Sequence, residues 1–434
     1  MKALVGQASD LLGHVLERSG AADRSISAYF HAHRNLGQRD RAFIAEAVYA
    51  ALRRKRSLAV AAGSDAPRAL VLAALVRVLG YSGRALDEAL GEHDRGIIAR
   101  VRATPLESMP EAVQADLPDW FWNLIASRHG ATEAMRIARS LLEPAPLDLR
   151  VNLARITRDE AHAQLASSGI EAGPGAYSPA SLRLKGKPAI NQHPLFKAGL
   201  VEVQDEGSQL LAYLVAPRRG EMVADFCAGA GGKTLAMAML MRSSGRLYAM
   251  DVSAKRLASL TPRLRRAAVS NVHPVVLDSE NDERVKRLAG KLDRVLVDAP
   301  CSGFGTLRRN PDLKWRHGPE AVEQLRVKQA RILESAARLV KPGGRLVYAT
   351  CSLLEEENES IADRFAEAHG EFRPLHCGEL LAEQRIPLES AGRLRLWPHI
   401  HRTDGFFAAA FERAASGHEK PPRRASKRGS DVTG

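Results

Sequence analysis

Leu292-Asp293-Arg294-Val295-Leu296-Val297-Asp298-Ala299-Pro300-Cys301-Ser302-Gly303 is a β-branched apolar run that ends on an acid, a proline and a cysteine. Downstream, Leu346-Val347-Tyr348-Ala349-Thr350-Cys351-Ser352 repeats that form. Neither run has the in–out alternation of a half-solvated strand, so each reads as a strand buried on both faces. Each cysteine then stands at the carboxyl edge of a parallel sheet, where open α/β sheets bind ligands. Two thiols and an acid on that edge suggest nucleophilic chemistry rather than packing.

Around these two runs the pattern of strand, helix, strand repeats from about Gln204 to Glu412. The other candidate strands are Val223–Phe226, Leu247–Asp251 and Val275–Asp278, and a helix over Ala321–Val340 ends at Lys341-Pro342-Gly343-Gly344. Right-handed crossovers make this a doubly wound, Rossmann-like parallel sheet. Leu394–Trp397 and Phe406–Phe411 add an antiparallel edge hairpin.

The first of these strands runs into Cys227-Ala228-Gly229-Ala230-Gly231-Gly232-Lys233-Thr234. A P-loop requires glycine where Cys227 stands, and a dinucleotide fingerprint requires glycine where Thr234 stands. Neither spacing fits. A nucleoside cofactor without pyrophosphate needs only a turn and close backbone approach, which Gly229, Gly231 and Gly232 supply. Asp251 ends the next strand, where an acid meets ribose hydroxyls. Asp278 follows as an acceptor for an adenine amino group, and Asp298 completes the series. Any one such acid can be a plain helix N-cap. Glycines and three acids at four successive strand ends are the layout expected for S-adenosylmethionine.

The chain has 434 residues, 45% of them hydrophobic and 26% charged, with a formal net charge of +13. That excess suits a polyanion, most simply nucleic acid, although solubility alone would also use it. Residues 1–140 are rich in Ala, Leu and Arg with helical spacing, as in Ala42, Ile44, Ala45, Val48, Tyr49 and Leu52, and read as an all-α domain. Arg53-Arg54-Lys55-Arg56 closes one of these helices, answering its dipole or touching phosphate. Residues 147–205 read as a small α/β module with a strand at Leu149–Leu153, a helix from Arg158 to Ser168 and a Gly-Pro-Gly turn at 173–175. Residues 206–415 form the catalytic domain, and 416–434 a basic disordered tail. Four cysteines without a C-x-x-C pair argue against zinc and against a disulfide framework. His399, His401 and Asp404 lack a further ligand of matching spacing, so no metal is expected. The start of the chain does not read as a signal peptide, and the most apolar run is too short to span a bilayer. A cytoplasmic monomer without membrane contact is expected.

At this point the chain resembles the RNA 5-methylcytosine methyltransferases of the Sun family, bacterial RsmB type. The residues that carry the resemblance are the Cys227–Thr234 loop, Asp298-Ala299-Pro300-Cys301-Ser302-Gly303 and Thr350-Cys351-Ser352. Gln204-Asp205-Glu206-Gly207-Ser208, Arg309-Asn310-Pro311-Asp312-Leu313-Lys314-Trp315 and Thr403-Asp404-Gly405-Phe406-Phe407 agree with it. The resemblance is specific over about 147–412, and the N-terminal helices look NusB-like. One departure is Ala230, where the family usually has proline.

The resemblance implies a Rossmann-like methyltransferase domain that uses S-adenosylmethionine to methylate carbon 5 of cytosine in RNA, with 16S ribosomal RNA as the expected substrate. It implies that the Cys351 thiolate adds to carbon 6, which makes carbon 5 enamine-like, and that Cys301 assists release. Asp298 would grip the cytosine edge and Lys233 support the same site. The cofactor would lie against Cys227, Ala228, Gly229, Ala230, Gly231, Gly232, Lys233, Asp251, Asp278 and Asp298. A free cysteine is otherwise a small buried hydrophobe, the reading taken for Cys377, and for Cys227 unless its backbone meets cofactor. Arg308, Arg309, Lys314, Trp315 and Arg316 are expected to hold phosphate and stack a base. A transfer RNA substrate and a non-catalytic RNA-binding factor are the rival readings.

Overall fold

The computed structural model describes residues 1–17, 20–82, 86 and 90–415. The tail from 416 lies outside them. Helices occupy the chain from Lys2–Glu17 to Ala131–Leu141. The alanine and leucine spacing produces Gln38–Arg53 and Pro67–Arg77, the latter with proline in its first turn, where the missing N–H costs nothing. Most of these helices share one core built on Leu11, Leu12, Ile44, Leu52, Leu58 and Leu72. The last two, Asp119–His129 and Ala131–Leu141, do otherwise. Their Phe121, Trp122 and Ile137 pack with Phe304, Leu307, Val322 and Leu354 of the region that carries the large sheet.

A four-stranded antiparallel sheet follows, ordered β2-β3-β1-β4, from β1 (Leu147–Val151), β2 (Ala172–Pro174), β3 (Ser181–Leu184) and β4 (Val201–Val203). Its helix, Arg158–Ser167, starts on a capping box in which Thr157 and Glu160 satisfy each other's backbone donors. The Gly-Pro-Gly segment is not wholly a turn, because Gly173 and Pro174 pair in β2.

The large sheet has β5 (Met222–Asp225), β6 (Arg246–Asp251), β7 (Val272–Val276), β8 (Leu292–Asp298), β9 (Val340–Thr350), β10 (Phe372–Leu375), β11 (Leu394–Leu396) and β12 (Phe406–Arg413). Its order is β10-β12-β9-β8-β5-β6-β7, with β11 paired to β12. Strands β9, β8, β5, β6 and β7 are parallel, and the order reverses between β5 and β8, which opens a crevice at their carboxyl ends.

Further details differ from the sequence reading, among them β1, which lies two residues earlier than expected. The hairpin partner β12 lies inside the sheet, because β10 pairs on its far side and forms the edge. Strand β7 starts and ends earlier than expected. Lys341-Pro342-Gly343-Gly344 does not simply stop a helix: it bulges out of β9, so that Leu292 faces Val340 while Arg294 faces Arg345. Among the described residues no single helix is long and apolar enough to cross a membrane.

Candidate active site

Cys301 follows β8 and Cys351 directly follows β9, and the two strands are adjacent and parallel, with Asp298 opposite Ala349. The register brings the two Sγ atoms to 3.4 Å. Lys233, in the first turn of the helix Gly232–Met241, reaches Asp298 with Nζ 2.7 Å from Oδ2. Its ammonium also lies over the Phe406 ring, 5.6 Å from the centroid. Burial works against that charge, but Asp298, Cys351 and Asp225 outweigh it and raise the lysine's pKa. The Cys301 thiol is held well above its usual range, first by its hydrogen bond with Cys351, then by burial and by the charges of Cys351 and Glu357.

Beside the thiols lies a cavity of about 270 Å³. Phe226, Val252, Leu277 and Ile332 form apolar walls, and Cys227, Asp251, Asp298, Cys301 and Cys351 reach it, with Arg256 and Lys328 as cations on the lining. The glycine loop begins at Cys227, on the cavity's lining. Gly229 and Gly231 have φ of 55° and 83°, and a Cβ on Gly231 would stand 2.1 Å from Leu260 Cδ1, so only glycine lets the chain turn here. Asp251 holds the loop: its Oδ2 accepts from Gly229 N–H at 2.8 Å and its Oδ1 from Ser253 N–H at 2.7 Å. Each oxygen keeps a lone pair for a ligand hydroxyl. Ala228 N–H donates to Met250 O at 2.8 Å, and the Ala230 carbonyl accepts from Arg263 at 2.5 Å. Arg150 of the small sheet donates to the Gly232 carbonyl at 2.8 Å. Asp225 lies beneath, buried, with Thr234 Oγ1 donating to it at 2.7 Å, and burial pushes its carboxyl up to about 7. Burial likewise raises the Cys227 thiol. Apolar walls with Asp251 and Asp298 on the lining fit a nucleoside carrying hydroxyls and a positive centre.

Asp278 is not brought to this cavity. β7 ends at Val276, Leu277 turns inward, and the Asp278 side chain is 89% exposed and paired with Arg284 at 3.0 Å. Glu280 reaches the lining instead. With β7 ending two residues earlier, Asp278 lies past the strand, where its side chain turns to Arg284 and solvent. Cys377 is fully buried, in the core of the sheet's opposite face.

The cations and the tryptophan after Cys301 do not form an open RNA surface. Arg308 holds Asp404 at 3.0 Å, and Arg309 holds Asp404 at 2.5 Å, Asp205 at 3.0 Å and the Pro146 carbonyl at 3.1 Å. Lys314 is buried and donates to the Arg53 carbonyl at 2.7 Å, while Trp315 Nε1 donates to the Leu52 carbonyl at 2.7 Å. Lys314 thus caps the helix Gln38–Arg53, and burial takes its ammonium down to about 7. Arg316 pairs with Asp312. Arg53 bonds the Arg308 carbonyl and Arg56 pairs with Asp119, so part of that basic cluster is also spent within the protein. The three supporting motifs of the resemblance, around Asp205, Arg309 and Asp404, meet in this one network. Among the described residues no group of three or more His, Cys, Asp or Glu side chains could hold a metal ion, and His399 is bonded to Glu133 at 2.7 Å.

Sequence reasoning missed Glu357, which is buried between the two cysteine loops. Its only signal was position, in an acidic run shortly after Cys351.

A family model described as 16S rRNA methyltransferase RsmB/F matches residues 212–412, and one for the ferredoxin-like domain of RsmF/B-like methyltransferases matches 117–191. The latter takes in the helix pair that packs on the catalytic region. The chain is 34% identical over 359 residues to a probable ribosomal RNA small subunit methyltransferase B of Synechocystis sp., covering 82% of this chain and 79% of that protein. It is 34% identical over 309 residues to the probable ribosomal RNA small subunit methyltransferase B of Bacillus subtilis, covering 70% and 67%. The crystal structure of PH0851 superposes with a TM-score of 0.76 at 26% identity, covering 95% of this chain and 98% of that one. The chain therefore belongs to the RsmB/F family of 16S rRNA methyltransferases.

Proposed function

We propose that the protein transfers a methyl group from S-adenosylmethionine to carbon 5 of a cytosine in 16S ribosomal RNA, with Cys351 as the attacking thiol and Cys301 as the thiol that ends the turnover. The observation that carries this reading is the pair of sulfurs 3.4 Å apart beside the Lys233–Asp298 ion pair.

Carbon 5 of cytosine is a poor nucleophile. A Cys351 thiolate that adds to carbon 6 from the ring face makes carbon 5 enamine-like, and the base must be unstacked for that approach. Lys233 stabilises negative charge beside Cys351. It also fixes Asp298, which accepts a hydrogen bond from the cytosine edge and favours a proton on ring nitrogen 3. When bound, S-adenosylmethionine supplies an electrophilic methyl to this activated carbon. Gly229, Gly231, Gly232 and Asp251 would hold its nucleoside part, with the backbone of Cys227, Ala228 and Ala230 alongside.

Cys301 is suited to the later step by the order of events. Its largest pKa-raising cause is the hydrogen bond with Cys351, and charge on Cys351 adds to it. The charge is gone and the hydrogen bond is weakened once the Cys351 sulfur is a neutral thioether, a poor acceptor. Cys301 therefore becomes easier to ionise after the adduct forms, when a base is needed.

The test is methylation of unmodified 16S rRNA by the purified protein with S-adenosylmethionine, mapped by bisulfite sequencing, with transfer RNA in parallel. A 5-methylcytosine at a defined 16S position is expected. Methylation confined to transfer RNA, or methylation at another atom, would overturn the proposal.

A further inference from the structure

Glu357 and Asn358 are both fully buried, at 0% exposure. Glu357 Oε1 accepts from Ser302 N–H at 2.8 Å and from Gln329 Nε2–H at 2.9 Å. Its Oε2 accepts from the Ser302 and Ser352 hydroxyls, each at 2.5 Å. Ser302 follows Cys301 and Ser352 follows Cys351, and the two hydroxyl oxygens are 3.1 Å apart. Gln329 also donates to the Pro300 carbonyl at 3.0 Å, on the other side of Cys301. Behind the carboxylate, Tyr348 O–H donates to the Glu357 carbonyl at 2.5 Å, and Asn358 Nδ2 donates to the Ser352 carbonyl at 3.1 Å.

Among the described residues Glu357 makes no ion pair. A buried carboxylate without a cation is costly unless hydrogen bonds replace its water. Here four neutral donors do so, and they come from the two cysteine loops and the helix Pro319–Ala337 packed beside them. A carboxylate is suited to this junction because each oxygen accepts two hydrogen bonds, so one side chain can bind both loops at once. An apolar residue could fill the space but would leave the Ser302 N–H without a partner and the loops untied.

We propose that Glu357 is a positioning residue that holds the Cys301 loop against the Cys351 loop, so that without it the covalent RNA adduct forms but is resolved slowly. This rests on the two-thiol reaction proposed above. In the step concerned the Cys301 thiolate, its own proton already lost to solvent, takes the proton from carbon 5. The C5–H electron pair closes the C5=C6 double bond. The C6–S bond breaks and its pair leaves on the Cys351 sulfur as a thiolate. The step needs the Cys301 sulfur held close to carbon 5 while Cys351 is fixed to carbon 6, and small displacements of a reacting group are expensive.

The experiment is a single turnover of the full-length protein with transcribed 16S rRNA and S-adenosylmethionine, quenched in detergent and read on a denaturing gel. Nucleoside analysis of the digested RNA is run in parallel. In Glu357→Ala the adduct should persist about ten- to hundredfold longer than in the wild type, with the methyl group already on the trapped base. Glu357→Gln keeps an oxygen for the N–H donors and a group that can donate to the serine hydroxyls, and should resolve within about threefold of the wild type. Cys301→Ala is the control: if it traps no adduct, the two-thiol reading fails independently of Glu357. If Cys301→Ala traps the adduct while Glu357→Ala resolves at the wild-type rate, or never forms it, the role of Glu357 is refuted. Trapping by Glu357→Gln equal to that of Glu357→Ala refutes it as well. Should Glu357→Ala not fold, Ser302→Ala decides: it removes one hydroxyl on the Cys301 side and should prolong the adduct severalfold, and a wild-type lifetime would overturn the proposal.

Discussion

Replacing Arg309 by methionine separates two uses of a cation beside the Cys301 loop. In the structure its guanidinium lies between Asp404 and Asp205, whose side chains are 3% and 6% exposed, and it is itself 29% exposed. Removing one partner of a buried ion pair costs about 3–5 kcal/mol, because the other charge stays behind. Arg308 still reaches Asp404 at 3.0 Å, so the lower end, about 3 kcal/mol, is expected here. For domains of 150–250 residues that lowers Tm by about 6–12 °C. The loss should depend on pH. Burial already raises the Asp205 carboxyl to about 7, the charge of Asp404 adds to this, and Arg309 opposes it. A carboxyl whose folded pKa exceeds its unfolded value contributes stability that is present at low pH and lost as pH rises through the folded value. Without Arg309 that value moves further up, so Arg309→Met should lose least at pH 6 and most at pH 8, read as Tm at a fixed scan rate. The salt dependence of RNA binding should stay as in the wild type, since no phosphate contact is removed. An unchanged Tm with a salt slope smaller by about one would refute this internal ion-pair role of Arg309 and restore a phosphate-binding one.

Asp251→Ala should raise the dissociation constant for S-adenosylmethionine by about ten- to hundredfold, the range for a charged hydrogen bond of about 1.5–3 kcal/mol. Unchanged affinity by calorimetry would remove Asp251 from the site. Gly231→Ala puts a side chain at φ 83° and 2.1 Å from Leu260; a fall in stability of about 1–3 kcal/mol with weakened cofactor binding is expected, and wild-type values for both would contradict the loop geometry. Deleting the basic stretch from Ser416 should flatten the salt dependence of RNA affinity by a few units at most. It should leave the methylated cytosine unchanged, because phosphate contacts position RNA without reading its sequence; a redirected methyl group would show that recognition lies in the tail.

The cysteine-bearing strands were legible because a strand buried on both faces must be apolar throughout, and their β-branched residues and short length set them apart from apolar helical runs such as that from Ala69 to Leu75. The glycine loop was legible because positive φ selects glycine. β7 and β10 were harder. Both are edge strands, with residues such as His273 and Arg373 exposed, so their solvent-facing positions interrupt the apolar signal. Asp278 was misplaced for that reason, since its orientation depends on where β7 ends. Lys314 and Trp315 were read as RNA contacts because a cation beside an aromatic ring has the same sequence appearance whether it meets a base or a helix end. Only the approach of the helix Gln38–Arg53 decides between them. Glu357 was invisible because Glu355-Glu356-Glu357 looks like a solvated acidic run, and what buries its third member is the pairing of two loops distant in sequence.

The central claim is a covalent bond between Cys351 and the target base, and its most direct measurement is the site of that bond. Cys301→Ala, incubated with unmodified 16S rRNA and S-adenosylmethionine, digested with nuclease and protease and analysed by mass spectrometry, should yield a peptide containing Cys351 joined through sulfur to a methylated cytosine nucleotide. The same digest from Cys351→Ala should contain none. A bond on Cys301 in the Cys351→Ala protein, or normal turnover by that variant with no adduct in either, would contradict the assignment of Cys351 as the nucleophile.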